Sequence, residues 1–216
     1  MPDLQRDPTG RRFIPIPANA KPSDLFFNAS TTTFLTRGAR FCSKANFGEY
    51  LIFISGVSNS EEAPPGRAVY AYVWGPHCTH QDMTLNVGYL HDTFGPQTAE
   101  RAQLLAAIEA LKLVEVWCEA PESLVKARTI VLAFSGNYFL NQVARSTYRE
   151  EAEKGRDNQD LKILLEYQIV KLGAKGVTVR LWQIHDENRA EDVAYTQLCG
   201  KEHLLYKAVK KVVNRM

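Results

Sequence analysis

The sequence has no long apolar run, no strong net charge and no closely spaced pair of cysteines. None of its apolar stretches approaches the roughly 20 residues that a membrane-spanning helix requires. The formal net charge at pH 7 is +2, so no overall electrostatic field draws the chain to nucleic acid or to an acidic membrane. These absences argue against a membrane partner, and a nucleic-acid partner would have to bind a local basic patch.

The cysteine pattern and the N-terminus predict an intracellular protein. Cys42, Cys78, Cys118 and Cys199 lie far apart, as expected of reduced and partly buried thiols. The first residues lack the apolar core of a secretory signal. At 216 residues, the chain is long enough for one domain with a full hydrophobic core and an extension. We expect it in the cytoplasm or the nucleus.

The N-terminal segment, residues 1–46, is predicted to be an extended arm. Proline removes a backbone donor and disfavours a helical predecessor, and it occurs here as Pro2, Pro8, Pro15, Pro17 and Pro22. The apolar side chains of Phe13, Ile14 and Ile16 are expected to dock the arm on the core. Residues 47–216 then form the folded domain, which ends in a C-terminal helical extension.

Hydrophobic periodicity predicts alternating strands and helices in the rest of the chain. Strands are predicted at 49–57, 67–74, 83–91, 129–134 and 177–184. A long helix is predicted to be capped by Thr98 and ended by Pro121, and further helices are predicted at 136–144, 160–172 and 191–213. The order βββαβαβα implies an α/β fold with a mixed, five-stranded sheet on which the helices pack.

One predicted helix carries a motif that resembles the pattern of a known family. The run Gln97-Thr98-Ala99-Glu100-Arg101-Ala102-Gln103-Leu104 resembles the ribonuclease H helix with a metal-binding glutamate in a Gln-Thr-x-x-Arg-Ala-Glu-Leu pattern. Here Gln103 stands at the glutamate position. Family strands that end in Asp-Gly-Ser and Thr-Asp-Ser correspond to Ser55-Gly56-Val57 and Phe134-Ser135-Gly136. The resemblance spans about residues 49–197 and implies the ribonuclease H fold.

The last family motif, Asn-x-x-Ala-Asp, can be aligned in two ways. In a subset associated with filamentous fungi a Trp-Arg-Ile-Pro stretch precedes it, and this chain has Trp182-Gln183-Ile184-His185. Anchored on Asn188, the fourth carboxylate of the family site is Asp192. Anchored on Ala190, it is Glu191. The spacing from the asparagine matches the whole motif and favours Asp192.

The three replaced carboxylates decide the expected chemistry. Ribonuclease H chemistry resembles a two-metal scheme in which two Mg²⁺ ions about 4 Å apart hold the attacking water and the leaving oxygen. Mg²⁺ requires near-octahedral oxygen ligands and gives up its water reluctantly. With Ser55, Gln103 and Ser135 at three of the four positions, only Asp192 remains acidic. We therefore expect no catalytic residues, no bound metal and no other cofactor: a pseudoenzyme.

Three functions stay open for such a chain. The first is a protein-interaction module or scaffold whose partner is another protein. Relatives that grip hybrids use a basic, tryptophan-bearing protrusion, whereas residues 145–155 here contain three glutamates and no tryptophan. The second is a non-cleaving binder of RNA or an RNA–DNA hybrid, with its cleft rimmed by Arg101, Arg145, Arg149 and Arg189. The third is a weak ribonuclease H with a rebuilt site that uses Mg²⁺.

Overall fold

The computed structural model describes residues 10–31, 38–59, 67–75, 85–89, 97–119, 127–140, 143, 158–185 and 188–199. The principal elements in these ranges are α1 (Pro22–Leu25), β1 (Phe26–Thr31), β2 (Gly38–Ser43), β3 (Glu49–Ser58), β4 (Ala68–Val73), β5 (Leu85–Tyr89), α2 (Ala99–Glu119), β6 (Thr129–Phe134), α3 (Gln159–Ala174), β7 (Thr178–Gln183) and α4 (Arg189–Cys199). Among the described residues, no helix combines the length and the apolar character needed to cross a membrane.

Strand β3 lies at the centre of one seven-stranded mixed sheet. Its residue Leu51 pairs with Phe41 of β2 on one edge and with Val131 of β6 on the other. Further along the same edge of β3, its partner is β4 instead of β2, and this pairing is antiparallel. β5 in turn pairs antiparallel with β4. β6 runs parallel to β3, and β7 runs parallel to β6. Parallel neighbours need long crossovers, which α2 and α3 supply. The predicted α/β, ribonuclease H-like fold is confirmed.

Side chains of β3 alternate between two cores, one on each face of the sheet. Ile52 and Ile54 belong to the larger core, which also contains the buried apolar side chains of α2 and α3. Leu51 and Phe53 belong to the second core, which is completed by α4 and by the N-terminal segment through Ala190, Ala194, Phe26 and Phe41. A strand buried on both faces explains why residues 50–54 are continuously apolar.

In the described ranges the sheet has seven strands rather than the predicted five, because residues 1–46 contain more than an extended arm. β1 and β2 form an antiparallel hairpin with paired residues from Phe26–Ser43 to Thr31–Gly38. The hairpin joins the sheet through the pairing of β2 with β3. Proline is concentrated between residues 2 and 22 and does not extend into these strands. The prolines therefore indicate an extended arm only up to residue 22.

The arm preceding the hairpin docks along the outer edge of β7. The Phe13 amide donates to the Leu181 carbonyl at 2.8 Å, and the Leu181 amide donates to the Arg11 carbonyl at 2.7 Å. The Phe13 ring lies 5.1 Å from the Trp182 ring, centroid to centroid. The prediction for Phe13 is confirmed. It is wrong for Ile14 and Ile16, whose side chains are exposed.

Element boundaries follow the sequence pattern closely where burial is strongly periodic. β6 occupies the predicted residues 129–134. Thr98 accepts a hydrogen bond from the Arg101 amide through Oγ1 at 3.2 Å, which confirms the predicted cap of α2. The predicted closing helix is described as α4, and its continuation from residue 200 lies outside the described residues.

Gly56 permits the closest contact between α2 and the sheet. A Cβ placed on Gly56 would lie 2.2 Å from both the Ala99 carbonyl oxygen and the Gln103 amide nitrogen. Both atoms belong to the backbone of α2, so they can move only if the helix moves. Glycine at this position therefore sets the distance between the helix and β3.

Replacing Gly56 with alanine is expected to lower the free energy of unfolding by about 3 kcal/mol, because α2 must shift outward over a packed core. Urea denaturation measures this change. Gly173→Ala is the matched control: Gly173 lies within α3 with nothing within 4 Å of the added carbon. That variant is expected to gain roughly 0.5–1 kcal/mol from helix propensity. A Gly56→Ala protein as stable as the wild type would contradict the proposed close contact.

Candidate functional site

Three of the four predicted site positions meet at one end of the sheet. β3 and β6 are parallel neighbours, so Ser55 in β3 and Ser135 directly after β6 lie near the same strand ends. The first turns of α2 pack over this end and bring Gln103 to it. Ser55, Gln103 and Ser135 line one cavity of about 360 Å³. The structure therefore brings together the three positions where the family has carboxylates.

Hydrogen bonds between neutral groups join Gln103 and Asn188 to Ser135. Gln103 donates through Nε2 to the Ser135 carbonyl at 3.3 Å. Asn188 donates through Nδ2 to Ser135 Oγ at 3.0 Å and to the Ile54 carbonyl at 3.2 Å. Its Oδ1 accepts from the Ala190 amide at 3.2 Å, at the start of α4. One asparagine thus links both parallel strand ends to the beginning of the last helix.

This donor set does not fit a pair of magnesium ions. A carbonyl oxygen can only accept, so Gln103 and Asn188 must present N–H groups to Ser135 and Ile54. Mg²⁺ requires oxygen lone pairs, and the two serine hydroxyls bring no charge to offset its dehydration. Among the described residues, no group of three or more His, Cys, Asp and Glu side chains is placed to hold a metal ion.

Glu191, and not Asp192, is among the residues that line the cavity. Both lie in the first turn of α4, and Asp192 is exposed. The register of this turn is set by Asn188, which bonds the first amides, and by Ala190, which is fully buried in the second core. The structure therefore places at the site the carboxylate given by the alignment on Ala190. Glu100 also lines the cavity.

Arg101 does not lie on an exposed rim of the cleft, where the hybrid-binding hypothesis placed it. Its side chain is 4% exposed, and its guanidinium donates to both carboxylate oxygens of Asp160, at 2.9 and 2.5 Å. It also donates to Asn158 Oδ1 at 3.2 Å. The sequence could not show this burial, because the partner residues lie in a different helix. Arg101 joins α2 to the start of α3.

The segment Asn158-Gln159-Asp160-Leu161 forms the α3 side of this junction. Asn158 has a φ of 62°, a left-handed conformation that asparagine tolerates better than most residues. Its Nδ2 donates to the hydroxyl of Tyr138 at 3.0 Å, and Tyr138 lines the cavity. Hydrogen bonds from Arg101 hold the pKa of Asp160 below its ordinary value. Through this hydrogen bond, Asn158 holds Tyr138 in the wall of the cavity.

The other predicted cations lie away from the cavity or outside the described residues. Arg189 is exposed, and its guanidinium lies 5.1 Å from the centroid of the Phe41 ring, whose side chain belongs to the second core. Arg145, Arg149 and the rest of the 145–155 segment fall outside the described residues. No lysine or arginine is among the described residues that line the cavity.

The role of Asn188 at the site is not among the sequence predictions, in which this residue serves only to align a motif. Its position directly before α4 is the usual place of a helix-capping asparagine, and that signal was available. The hydrogen bond from Asn158 to Tyr138 is likewise absent from the sequence predictions. Nothing in the sequence spacing shows that the amide of Asn188 reaches Ser135, 53 residues away.

Comparison with solved structures finds ribonuclease H domains of low sequence identity. Ribonuclease H1 from the archaeon Halobacterium salinarum NRC-1 is 16% identical, with a TM-score of 0.37, over 68% of this chain and 90% of that chain. The N-terminal ribonuclease H domain of a Mycobacterium tuberculosis protein is 12% identical, with a TM-score of 0.42, over 73% and 98%. LC11-RNase H1, solved in complex with an RNA/DNA hybrid, is 17% identical, with a TM-score of 0.38, over 65% and 91%.

No protein-family model matches the sequence, and no curated protein matches it. Identities and TM-scores as low as those above carry no information on the chemistry of this chain. The assignment of a ribonuclease H-like fold rests on its own strand order and helix positions.

Neutralising Asp160 is expected to destabilise the protein at neutral pH. Because its pKa is lowered in the folded state, its ion pair with Arg101 stabilises the fold at neutral pH and is lost as the pH falls through the lowered pKa. The Asp160 side chain is 57% exposed, so solvent screening limits the effect to about 1 kcal/mol. Urea denaturation of Asp160→Asn at pH 7 and at acidic pH measures it.

The gap in unfolding free energy between the wild type and Asp160→Asn is expected to shrink in acid, because Asp160 becomes protonated there. Glu109→Gln is the control, since Glu109 pairs with Lys112 on the surface of α2. It is expected to change stability by less than about 0.5 kcal/mol. A gap between Asp160→Asn and the wild type that stays constant with pH would contradict the ionic role of Asp160.

Proposed function

We propose that this chain is a catalytically inactive ribonuclease H-like domain that acts as a protein-interaction module. The observation that carries the proposal is the neutral network of Ser135, Gln103 and Asn188 at the site, with Ser55 beside it. Hydrogen bonds among neutral groups have taken the place of charges that would hold cations.

Hydrolysis of a phosphodiester needs an activated water and a stabilised leaving oxygen. In the two-metal scheme the ions do both, and four carboxylates hold the ions. Here two hydroxyls and two amides occupy the centre of the site, and none of them is a base near neutral pH. Without charged ligands at these positions, none of these four described groups can generate the nucleophile.

Two carboxylates near the cavity do not rebuild the lost site. Glu100 and Glu191 both line the cavity, and this supports the third hypothesis, a weak ribonuclease, to a limited degree. Glu100 is exposed, however, and hydrated carboxylates at a rim bind Mg²⁺ weakly because the ion keeps its water. Their negative charge also repels the phosphates of a hybrid.

The exposed surface of the described chain favours a protein partner over nucleic acid. The outward face of α3 carries four large apolar side chains that are 49–65% exposed: Ile163, Leu164, Tyr167 and Val170. An exposed apolar patch of this kind is typical of protein-binding surfaces. The cavity itself offers no described cation to a phosphate, since Arg101 is buried and Arg189 lies by the second core.

The purified chain is expected neither to cleave nor to bind a labelled RNA–DNA hybrid. The experiment is a titration at low salt, with and without Mg²⁺ or Mn²⁺, read by fluorescence anisotropy and by gel separation of products. Phosphate contacts would appear as an affinity that falls steeply with salt. Metal-dependent cleavage would contradict the inactive site, and salt-dependent binding would support the second hypothesis, a non-cleaving hybrid reader.

Restoring the three carboxylates is expected to restore magnesium binding. The variant Ser55→Asp, Gln103→Glu, Ser135→Asp places acidic groups around the cavity beside Glu191. Their mutual repulsion lowers the melting temperature, and added Mg²⁺ raises it again because the ion binds only the folded state. The matched control is Ser55→Asn, Ser135→Asn, which has similar side-chain size without charge.

Within the restored variant, Glu191→Gln is expected to abolish the magnesium effect on melting, whereas Asp192→Asn leaves it. The opposite result would show that Asp192 is the fourth ligand. A wild-type melting temperature that rises with Mg²⁺ as much as that of the restored variant would contradict the proposal that the native site has lost its metals.

A further inference from the structure

A second cavity of about 310 Å³ lies between the N-terminal hairpin and β3. Three aromatic side chains of the second core, Phe26, Phe41 and Phe53, line it. The rings of Phe41 and Phe53 meet edge to face with centroids 5.3 Å apart. None of the residues lining this cavity lines the one around Ser55. Its size and its aromatic walls are typical of a small-molecule site.

Two cations and no carboxylate line this cavity in the described part of the chain. Lys44 donates through Nζ to the carbonyl of Ser23 in α1 at 3.0 Å. The Arg189 guanidinium lies 5.1 Å from the Phe41 ring centroid, a cation–π distance. The nearby Asp24 accepts from the Lys21 amide at 2.9 Å and is not a lining residue. The cavity is therefore positive and without an internal counter-charge among its described lining residues.

We propose that this cavity binds a small organic anion that carries an aromatic ring. The ring packs against Phe41 and Phe53, where edge-to-face contacts are favourable. The anionic group lies by Lys44 and Arg189. Arginine binds carboxylates and phosphates alike, so the shared chemistry is an anion attached to an aromatic ring.

The proposal does not depend on the state of the Ser55 cavity. The pocket is built by α1, β1 and β2, together with β3 and the first residue of α4. The hairpin lies outside the five strands that the ribonuclease H resemblance implies. Binding here would thus be a property that the N-terminal segment adds to the fold.

The test uses 1-anilinonaphthalene-8-sulfonate, an aromatic sulfonate whose fluorescence rises on binding, with the full chain. Lys44→Gln, Arg189→Gln is expected to weaken its binding at least about fivefold, by loss of two charge contacts. Arg180→Gln is the control, since Arg180 is exposed on β7 and does not line the cavity. Amide chemical-shift changes on binding are expected at residues 23–28, 41–44 and 189.

Competition distinguishes the anionic groups. Phenyl phosphate and phenylacetate are each titrated against the bound probe, and displacement by either one supports the proposal and identifies the preferred group. Benzyl alcohol, which is neutral, is expected not to displace it. The proposal is overturned if the wild type does not bind the probe, or if the double variant binds it as tightly as the wild type does. It is also overturned if Arg180→Gln weakens binding as much as the double variant does, or if benzyl alcohol displaces the probe as well as the anions do. Chemical-shift changes confined to other residues would overturn it too.

Discussion

The close approach of α2 to β3 is the contact on which the site depends. Gly56 leaves room for the helix backbone, and the inner face of α2 is lined with small residues that are fully buried: Ala102, Ala106, Ala107 and Ala110. A larger side chain at this interface would lift the helix from the sheet. Gln103 would then lose its reach to Ser135, and the cavity wall at Ala99 and Glu100 would move with it. The spacing between two backbones thus fixes the spacing of the polar groups.

The neutral polar groups at the site stabilise the fold through hydrogen bonds, whereas carboxylates at the same positions would destabilise it by repulsion. Four converging carboxylates repel one another unless cations lie between them, so such a site lowers stability in exchange for chemistry. Ser135, Gln103 and Asn188 instead satisfy one another at 3.0–3.3 Å. Asn188 is 7% exposed, and a buried amide with all its partners in place favours a single arrangement of the three elements that it joins. These hydrogen bonds connect β3, the end of β6 and the start of α4 at this end of the sheet.

Most elements of this fold could be predicted from the sequence, whereas the roles of individual charged residues could not. Strand β3 and helix α2 can be predicted because their signals are local in the sequence. These signals are the continuous apolar run at 50–54 and the cap and periodicity of the helix. The role of Arg101 depends on Asp160, which lies 59 residues away, and a basic residue on a helix looks the same whether it is buried or exposed. The choice between Glu191 and Asp192 depends on the rotation of α4, which spacing alone leaves open. The hairpin of β1 and β2 was not predicted, since the prolines between residues 2 and 22 precede both strands and indicate nothing about them.

The position of the arm beside β7 has a consequence for the behaviour of the chain in solution. A strand at the border of a sheet exposes unpaired amides and carbonyls, which can template pairing with another chain and lead to aggregation. Residues 11–13 occupy that border by bonding both the amide and the carbonyl of Leu181. Phe13 packs beside Trp182, and Arg11 forms an ion pair with Glu166 of α3. The N-terminal segment therefore shields, within the same molecule, a part of the sheet that would otherwise be open to a neighbour.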